Sequence, residues 1–273
     1  MRIAMIGTGY VGLVSGACFM KFGVDVVCVD KDESKIETLK SGEIPIYEPG
    51  LDALVAEGFE SGRLTVTTNL AEAVDGADAV FIAVGTPSRR GDGHADLSFV
   101  YAAAKEIAEA LTGYTVVVTK STVPVGTGQE VDRIIREARP DAEFDVVSNP
   151  EFLREGSAVK DYYAPPKIVI GTLGGKPCDQ LEELNKDLEA PRFTVGLREA
   201  EITKFVDNSF HALKVAFANE IGRVCREEGI DVGAVHEIFV SDTKLNISPY
   251  YLRPGGAFGG SCLPKDVRAL NFI

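Results

Sequence analysis

The chain has 273 residues, with 28 Lys+Arg against 41 Asp+Glu and a net charge of −13. That acidity excludes a nucleic-acid groove, because a polyanion needs a basic surface to release its counterions. Apolar residues at 45% and charged residues at 25% exclude disorder, and the length suits one large domain or two smaller ones.

The first 170 or so residues alternate β-branched runs with amphipathic stretches. Strands are expected at Arg2–Ile6, Val24–Val29, Leu64–Thr67, Ala79–Val84, Thr115–Thr119, Phe144–Ser148 and Ile168–Ile170. Helices are expected at Val11–Phe22, Glu33–Ser41, Gly50–Phe59, Phe99–Leu111, Thr127–Ala138 and Cys178–Leu188. Apolar strands separated by helices predict a mostly parallel sheet with right-handed crossovers. The pattern changes at Arg198–Glu228, where Ile202, Phe205, Val206, Phe210, Leu213, Phe217, Ile221 and Val224 recur at helical spacing. A shorter helix over Val232–Val240 follows, and Pro254–Ile273 is Gly-rich and then helix-like. The chain stops soon after that segment, so a piece of a longer protein is expected.

No stretch approaches the roughly 20 apolar residues of a membrane helix. The strand at Arg2 begins without a basic, then apolar, leader. The five cysteines are odd in number and scattered, with no C-x-x-C, so reduced thiols and a cytoplasmic location are expected.

Gly7-x-Gly9-x-x-Gly12 follows the first strand and opens the first helix. The first glycine permits the tight turn, the second lets backbone approach a pyrophosphate, and the third lets helix pack on strand. The helix N-terminus offers free N–H groups to phosphates. Asp30 ends the second strand, where an acid binds ribose hydroxyls and repels a 2′-phosphate. NAD is therefore the expected cofactor, although Lys31 and Lys35 weaken the preference over NADP. Gly85-Thr86-Pro87 sits where a βα loop reaches the cofactor, and no P-loop motif occurs.

Three further features carry candidate chemistry. Lys204, Asn208 and His211 form one stripe of the long helix at i, i+4, i+7, opposite its apolar residues. This is either a solvated face or a site, since Lys beside Asn can stabilise an alkoxide. Gly259-Gly260-Ser261-Cys262 precedes Leu263-Pro264-Lys265-Asp266, so Cys262 is either an inert thiol or a thiolate nucleophile. Glu151 and Glu155 follow a strand end, as a general base or as solvated capping acids. The three histidines are too dispersed for a metal cluster, and no metal is expected.

These elements resemble the UDP-glucose/GDP-mannose dehydrogenase family. The matching runs are Met5–Gly12, Val84–Pro87, Lys120–Pro124, Asn149–Glu155, Lys204–Asn208 and Gly259–Asp266, in family order across essentially the whole chain. The resemblance implies a Rossmann-like doubly wound sheet over residues 1–196. A long-helix, all-helical dimerisation domain carrying the cysteine loop would span 197–273. It implies oxidation of the C6 hydroxyl of a nucleotide sugar to a carboxylate, with two NAD+, through a thiohemiacetal and a thioester. Cys262 would be the nucleophile, and Lys204 would stabilise oxyanions with help from Asn208. Asp266 and Thr122 would position water or relay protons, and Glu151 would activate the hydrolytic water with support from Glu155. Gly7, Gly9, Tyr10, Val11, Gly12, Asp30, Lys35, Thr86, Thr122 and Glu155 would contact NAD. Glu151, Phe152, Leu153, Lys204, Asn208, His211, Tyr250, Tyr251 and Arg253 would meet the substrate. The family pairs subunits through the long helix, so a homodimer is expected.

The family's second Rossmann-like domain, which holds the sugar nucleotide, has no counterpart in these residues. His211, Lys244–Ser248 and Tyr250–Pro254 resemble the GDP-mannose branch, although Gly256 stands where that branch has a bulkier residue. The first 150 residues look closer to bacterial UDP-glucose enzymes. GDP-mannose is slightly favoured, with UDP-glucose as the alternative. Two rivals remain. A β-hydroxyacid dehydrogenase would use Lys and Asn without Cys, and an NAD-binding dimer module would do no chemistry.

Overall fold

The computed structural model describes residues 1–250, 252, 254–255 and 263–270. They form two compact units, Met1–Asp207 and Asn208–Ile273.

The first unit is built on eight strands. They are β1 (Arg2–Ile6), β2 (Asp25–Val29), β3 (Leu64–Thr67), β4 (Ala79–Ile82), β5 (Thr115–Thr119), β6 (Phe144–Ser148), β7 (Ile168–Thr172) and β8 (Arg192–Gly196). The order is β3-β2-β1-β4-β5-β6-β7-β8. Every pairing is parallel except β6 with β7. The inner strands are buried along their length, β5 at all five positions. They can be so because helices cover both faces.

Those helices are α1 (Tyr10–Met20), α2 (Glu33–Lys40), α3 (Leu51–Glu60), α4 (Leu70–Val74), α5 (Ser98–Ala110), α6 (Thr127–Ala138), α7 (Ala158–Tyr163) and α8 (Asp179–Leu184). One core cluster packs Leu13, Phe19, Met5 and Phe81 with α7 residues. The other packs Ile82, Ile107, Val117 and Ile135. The order reverses between β1 and β4, which is the switch point where an open α/β sheet leaves its crevice.

Every strand read from sequence is present, with ends moved by a residue or two; Ala79–Val84 stops at Ile82 and Cys178–Leu188 shortens to α8. Three elements escaped the reading. Helices α4 and α7 have five and six residues, too few to show a helical period. Strand β8 is an edge strand, largely exposed, and runs straight into the next helix without a turn.

Helix α9 (Leu197–Glu227) begins in the first unit and continues into the second. Its anchor is Glu201, which is buried and accepts Gly126 N and Gly128 N, each at 2.6 Å. Glu201 thereby satisfies free N–H groups at the start of α6. Burial pushes its carboxyl up in pKa, against the pull of those two N–H bonds. The second unit holds the rest of α9, α10 (Val232–Ser241) and α11 (Leu263–Leu270). Asp231 caps α10 by accepting Gly233 N, and the Phe217 and Phe239 rings lie 5.6 Å apart.

Glu201→Ala leaves two donors at the α6 start unpaired. It is expected to cost about 1–3 kcal/mol of stability, seen as a lower denaturant midpoint with an unchanged slope.

Candidate active site

At the carboxyl ends of β1 and β2 the chain builds a cleft of about 810 Å3, within the range of a cofactor site. Gly7 turns with φ +107°, and a Cβ there would lie 2.6 Å from Ala83 O. A Cβ on Gly12 would collide with Gly7 O, so helix α1 lies close under the turn. A Cβ on Gly9 would meet nothing within 4 Å. That open backbone at the start of α1, next to Tyr10 and Val11, is what a pyrophosphate needs.

Asp30 is fixed beside it. Thr8 donates to Oδ2 from its backbone N at 3.0 Å and its hydroxyl at 2.7 Å, and Asp32 N donates to Oδ1 at 3.1 Å. Lys35 Nζ lies 3.6 Å away. Burial pushes the Asp30 carboxyl up, but these donors and Lys35 outweigh it and the net shift is down. An ionised acceptor at the end of β2 suits the ribose hydroxyls of NAD and repels a 2′-phosphate. Thr86 also lines the cleft, and its hydroxyl donates to Thr122 O at 2.9 Å.

A second cluster lies at the carboxyl end of β6. Lys204 Nζ reaches from α9 to Glu151 Oε1 at 2.9 Å, and both side chains are nearly buried. Leu153 N donates to Glu151 Oε2 at 2.6 Å. The Phe152 ring lies under two ammonium groups, Lys167 at 4.6 Å and Lys204 at 5.9 Å. Lys167 in turn pairs with Asp207 at 2.7 Å. Glu155 is exposed.

Of the stripe on α9, Lys204 is therefore buried and paired, while the apolar Ile202, Phe205 and Val206 are exposed. The inward side of α9 in this unit is Leu197, Ala200, Glu201 and Lys204. Asn208 and His211 lie in the second unit and are exposed, as is Tyr250. Asp266 is on α11, paired with Lys265 at 2.9 Å. Cys262, Tyr251 and Arg253 lie outside the described residues. Among the described residues no group of three His, Cys, Asp or Glu suits a metal ion. No described helix is long and apolar enough to cross a membrane.

Residues 1–189 match the UDP-glucose/GDP-mannose dehydrogenase family, NAD binding domain, and residues 198–273 match the same family's central domain. The chain belongs to the UDP-glucose/GDP-mannose dehydrogenase family. A UDP-glucose 6-dehydrogenase of Rhizobium meliloti is 56% identical over 99% of this chain and 62% of its own length. A GDP-mannose 6-dehydrogenase of Pseudomonas aeruginosa is 43% identical over 100% of this chain and 64% of its own. The crystal structure of a ternary complex of GDP-mannose dehydrogenase from that organism superposes with a TM-score of 0.96 at 44% identity. It is covered over 100% of this chain and 64% of that one. The chain thus spans about three-fifths of the length of the curated relatives it matches.

Two residues of this family member, Glu48 and Lys167, escaped the sequence reading, and a third, Lys120, was read only as part of a motif run. Glu48 is a buried carboxylate that accepts the Tyr10 hydroxyl, Gly156 N at 2.8 Å and Ala158 N at 2.7 Å. It ties the glycine turn to the loop of Glu151 and Glu155. Burial pushes Glu48 up, but these three donors outweigh it and lower its pKa. Its one signal is an acid before Pro49-Gly50, a turn residue by composition. Lys167 carries no local signal beyond a lysine at a strand boundary, and Lys120 opens the Lys120–Pro124 run but had no role of its own there.

Asp30→Ala removes two acceptor oxygens from the ribose position. It is expected to weaken NAD+ binding by roughly 10–100-fold in calorimetry, from the worth of a charge-assisted hydrogen bond. Glu48→Gln is expected to lower stability by about 1–3 kcal/mol at neutral pH. Because the native carboxyl titrates below its unfolded value of 4.5, that stabilisation is present above this pH and lost as pH falls through the native pKa. Thermal unfolding of variant and parent should therefore converge at acid pH.

Proposed function

We propose that the protein oxidises the C6 hydroxyl of a nucleotide-linked hexose to a carboxylate with two equivalents of NAD+. The observation that carries this is the Glu151–Lys204 pair, held at 2.9 Å on the same carboxyl edge of the sheet as the glycine turn. An acid and an ammonium there supply a proton acceptor and an oxyanion partner.

NAD+, held at the glycine turn and Asp30, would supply the hydride acceptor for each oxidation at C6. In the first, Lys204 with Asn208 holds the C6 oxygen as its proton passes to a water held by Thr122 and Asp266, giving the aldehyde. The Cys262 thiolate then adds to the aldehyde carbon, forming a C–S bond, and the alkoxide takes a proton from that water to give a thiohemiacetal. That tether keeps the reactive carbonyl in place between the two oxidations. Loss of the second hydride, to the second equivalent of NAD+, and of the hydroxyl proton, to water, leaves a thioester on Cys262. Glu151 takes a proton from water as the water adds to the carbonyl. The C–S bond breaks, the thiolate is regenerated and the uronate leaves. Thr122 and Asp266 position the water or relay its proton, Glu155 supports Glu151, and Phe152, Leu153, His211, Tyr250, Tyr251 and Arg253 contact the sugar nucleotide.

UDP-glucose is the first substrate of this reading, supported by the 56% identity to an enzyme named for it. GDP-mannose is the second, supported by His211 and the Lys244–Ser248 and Tyr250–Pro254 runs. The exposed apolar residues of α9 and α10, among them Phe210, Leu213, Phe217 and Ile238, support self-association as a dimer.

The deciding experiment follows NADH with UDP-glucose and GDP-mannose side by side. Two NADH per sugar with one of them, and none after Cys262→Ala, are expected. NADH formation that survives Cys262→Ala would instead mark a cysteine-free dehydrogenase. Light scattering should give twice the chain mass, and a monomer mass would remove the dimer.

A further inference from the structure

Lys120 directly follows β5, and its side chain is buried. Among the described residues its one side-chain acceptor is Asn149 Oδ1, at 3.0 Å, with the Phe81 ring centroid 6.0 Å away. The Asn149 amide cannot turn freely, because Nδ2 donates to Val169 O on β7 at 2.9 Å. Lys120 N and Ser121 N both bond Ile82 O, so the lysine backbone is fixed by β4 as well. A buried ammonium with no carboxylate in hydrogen-bond contact is costly. Packing alone would be met by Met, which has similar length and no charge.

Two residues past Asn149 comes Glu151, already held by Lys204 and by Leu153 N. Lys120 and Glu151 line one small cavity together with Asn149, Asp161, Tyr162 and Lys167. The Tyr162 hydroxyl there is buried without a hydrogen-bond partner. The charged or titratable groups acting on Lys120 are Glu151 from the β6 loop, Lys204 from α9 and Cys18 from α1.

We infer that Lys120 is a positioning residue for the hydrolytic half of the reaction. Through Asn149 it fixes the turn that carries Glu151, and it brings a second positive charge to the carboxylate that Lys204 binds. The inference rests on the reaction proposed above. Thioester hydrolysis needs one carboxylate oxygen aimed at one water, whereas the two oxidations need Lys204 and the thiol. Loss of Lys120 therefore slows release of the acid more than formation of the thioester.

Burial, opposed by Glu151 and aided by Lys204, brings the Lys120 pKa down to about 8. Its charge is present below that pH and lost as pH rises through it. Hydrolysis in the parent protein should fall along the same limb, and a variant without the lysine should lack it.

The test is rapid-mixing NADH formation by Lys120→Met with saturating sugar nucleotide and NAD+, followed by intact-mass measurement. The expected result is a burst of two NADH per site and a steady rate lowered by about 10–100-fold. The acylated chain should accumulate, sugar-nucleotide KM should fall together with the steady rate, and kcat/KM and NAD+ affinity should stay within about threefold of the parent. Lys120→Gln keeps a donor for Asn149 without the charge, and is expected to fall between the two. It stands in if the Met variant does not fold. Turnover within about twofold of the parent, or burst and steady rates falling together, overturns the inference while leaving the reaction intact. No NADH from the parent with either sugar nucleotide overturns the reaction, and the inference with it.

Discussion

The contact between Lys204 and Glu151 joins a helix to a strand end that lies far earlier in the chain. Two nearly buried charges are costly to desolvate, and they persist only where geometry and further partners compensate. Here the compensation is visible on both sides. Glu151 takes a backbone donor from Leu153, and Lys204 lies over the Phe152 ring. Lys204 can reach because Glu201, one helical turn before it, is bonded to the start of α6. The register of α9 against the sheet is thus set by one acid and used by one lysine.

The cofactor side is organised by the same means with different parts. Gly7 and Gly12 leave no room for side chains, so the turn and α1 come together, and Gly9 leaves its space open. Asp30 is oriented by Thr8, a residue inside the turn itself. Glu48 then connects Tyr10 of that turn to Gly156 and Ala158. Cofactor and acid loops are therefore not independent pieces of the crevice. A displacement in one is transmitted through a carboxylate with three donors, a short and stiff linkage.

Much of this was legible in sequence because it depends on local rules. The period of the strands, the glycine spacing and the acid ending β2 each follow from a few adjacent residues, and each is where it was expected. The stripe on α9 was legible as a spacing and not as a direction. An amphipathic reading turns Ile202, Phe205 and Val206 inward, yet they are exposed and Lys204 is inside. Periodicity reports that two faces differ; it does not report which face the rest of the protein covers. Glu48 and Lys167, and the contacts of Lys120, were illegible for a related reason. Their partners lie tens of residues away, at contacts that only the sheet order creates. Short helices such as α4 and α7 contain too little chain to carry a period at all.

The balance of charge inside the crevice makes the final connection between stability and chemistry. Two lysines, Lys120 and Lys204, act on a single glutamate, so among the described residues one positive charge near Glu151 has no carboxylate of its own. A sequence under selection for folding alone would replace one of them with an apolar side chain, because breaking even is the best such a charge does for stability. Departures of this kind, where local economy is violated and nothing in the packing requires it, mark positions shaped by function. Glu201 and Glu48 differ in this respect. Each accepts a backbone N–H at both oxygens, and each is explained by the fold it holds together. The contrast separates the acids that build the crevice from two lysines whose charges the fold alone does not account for.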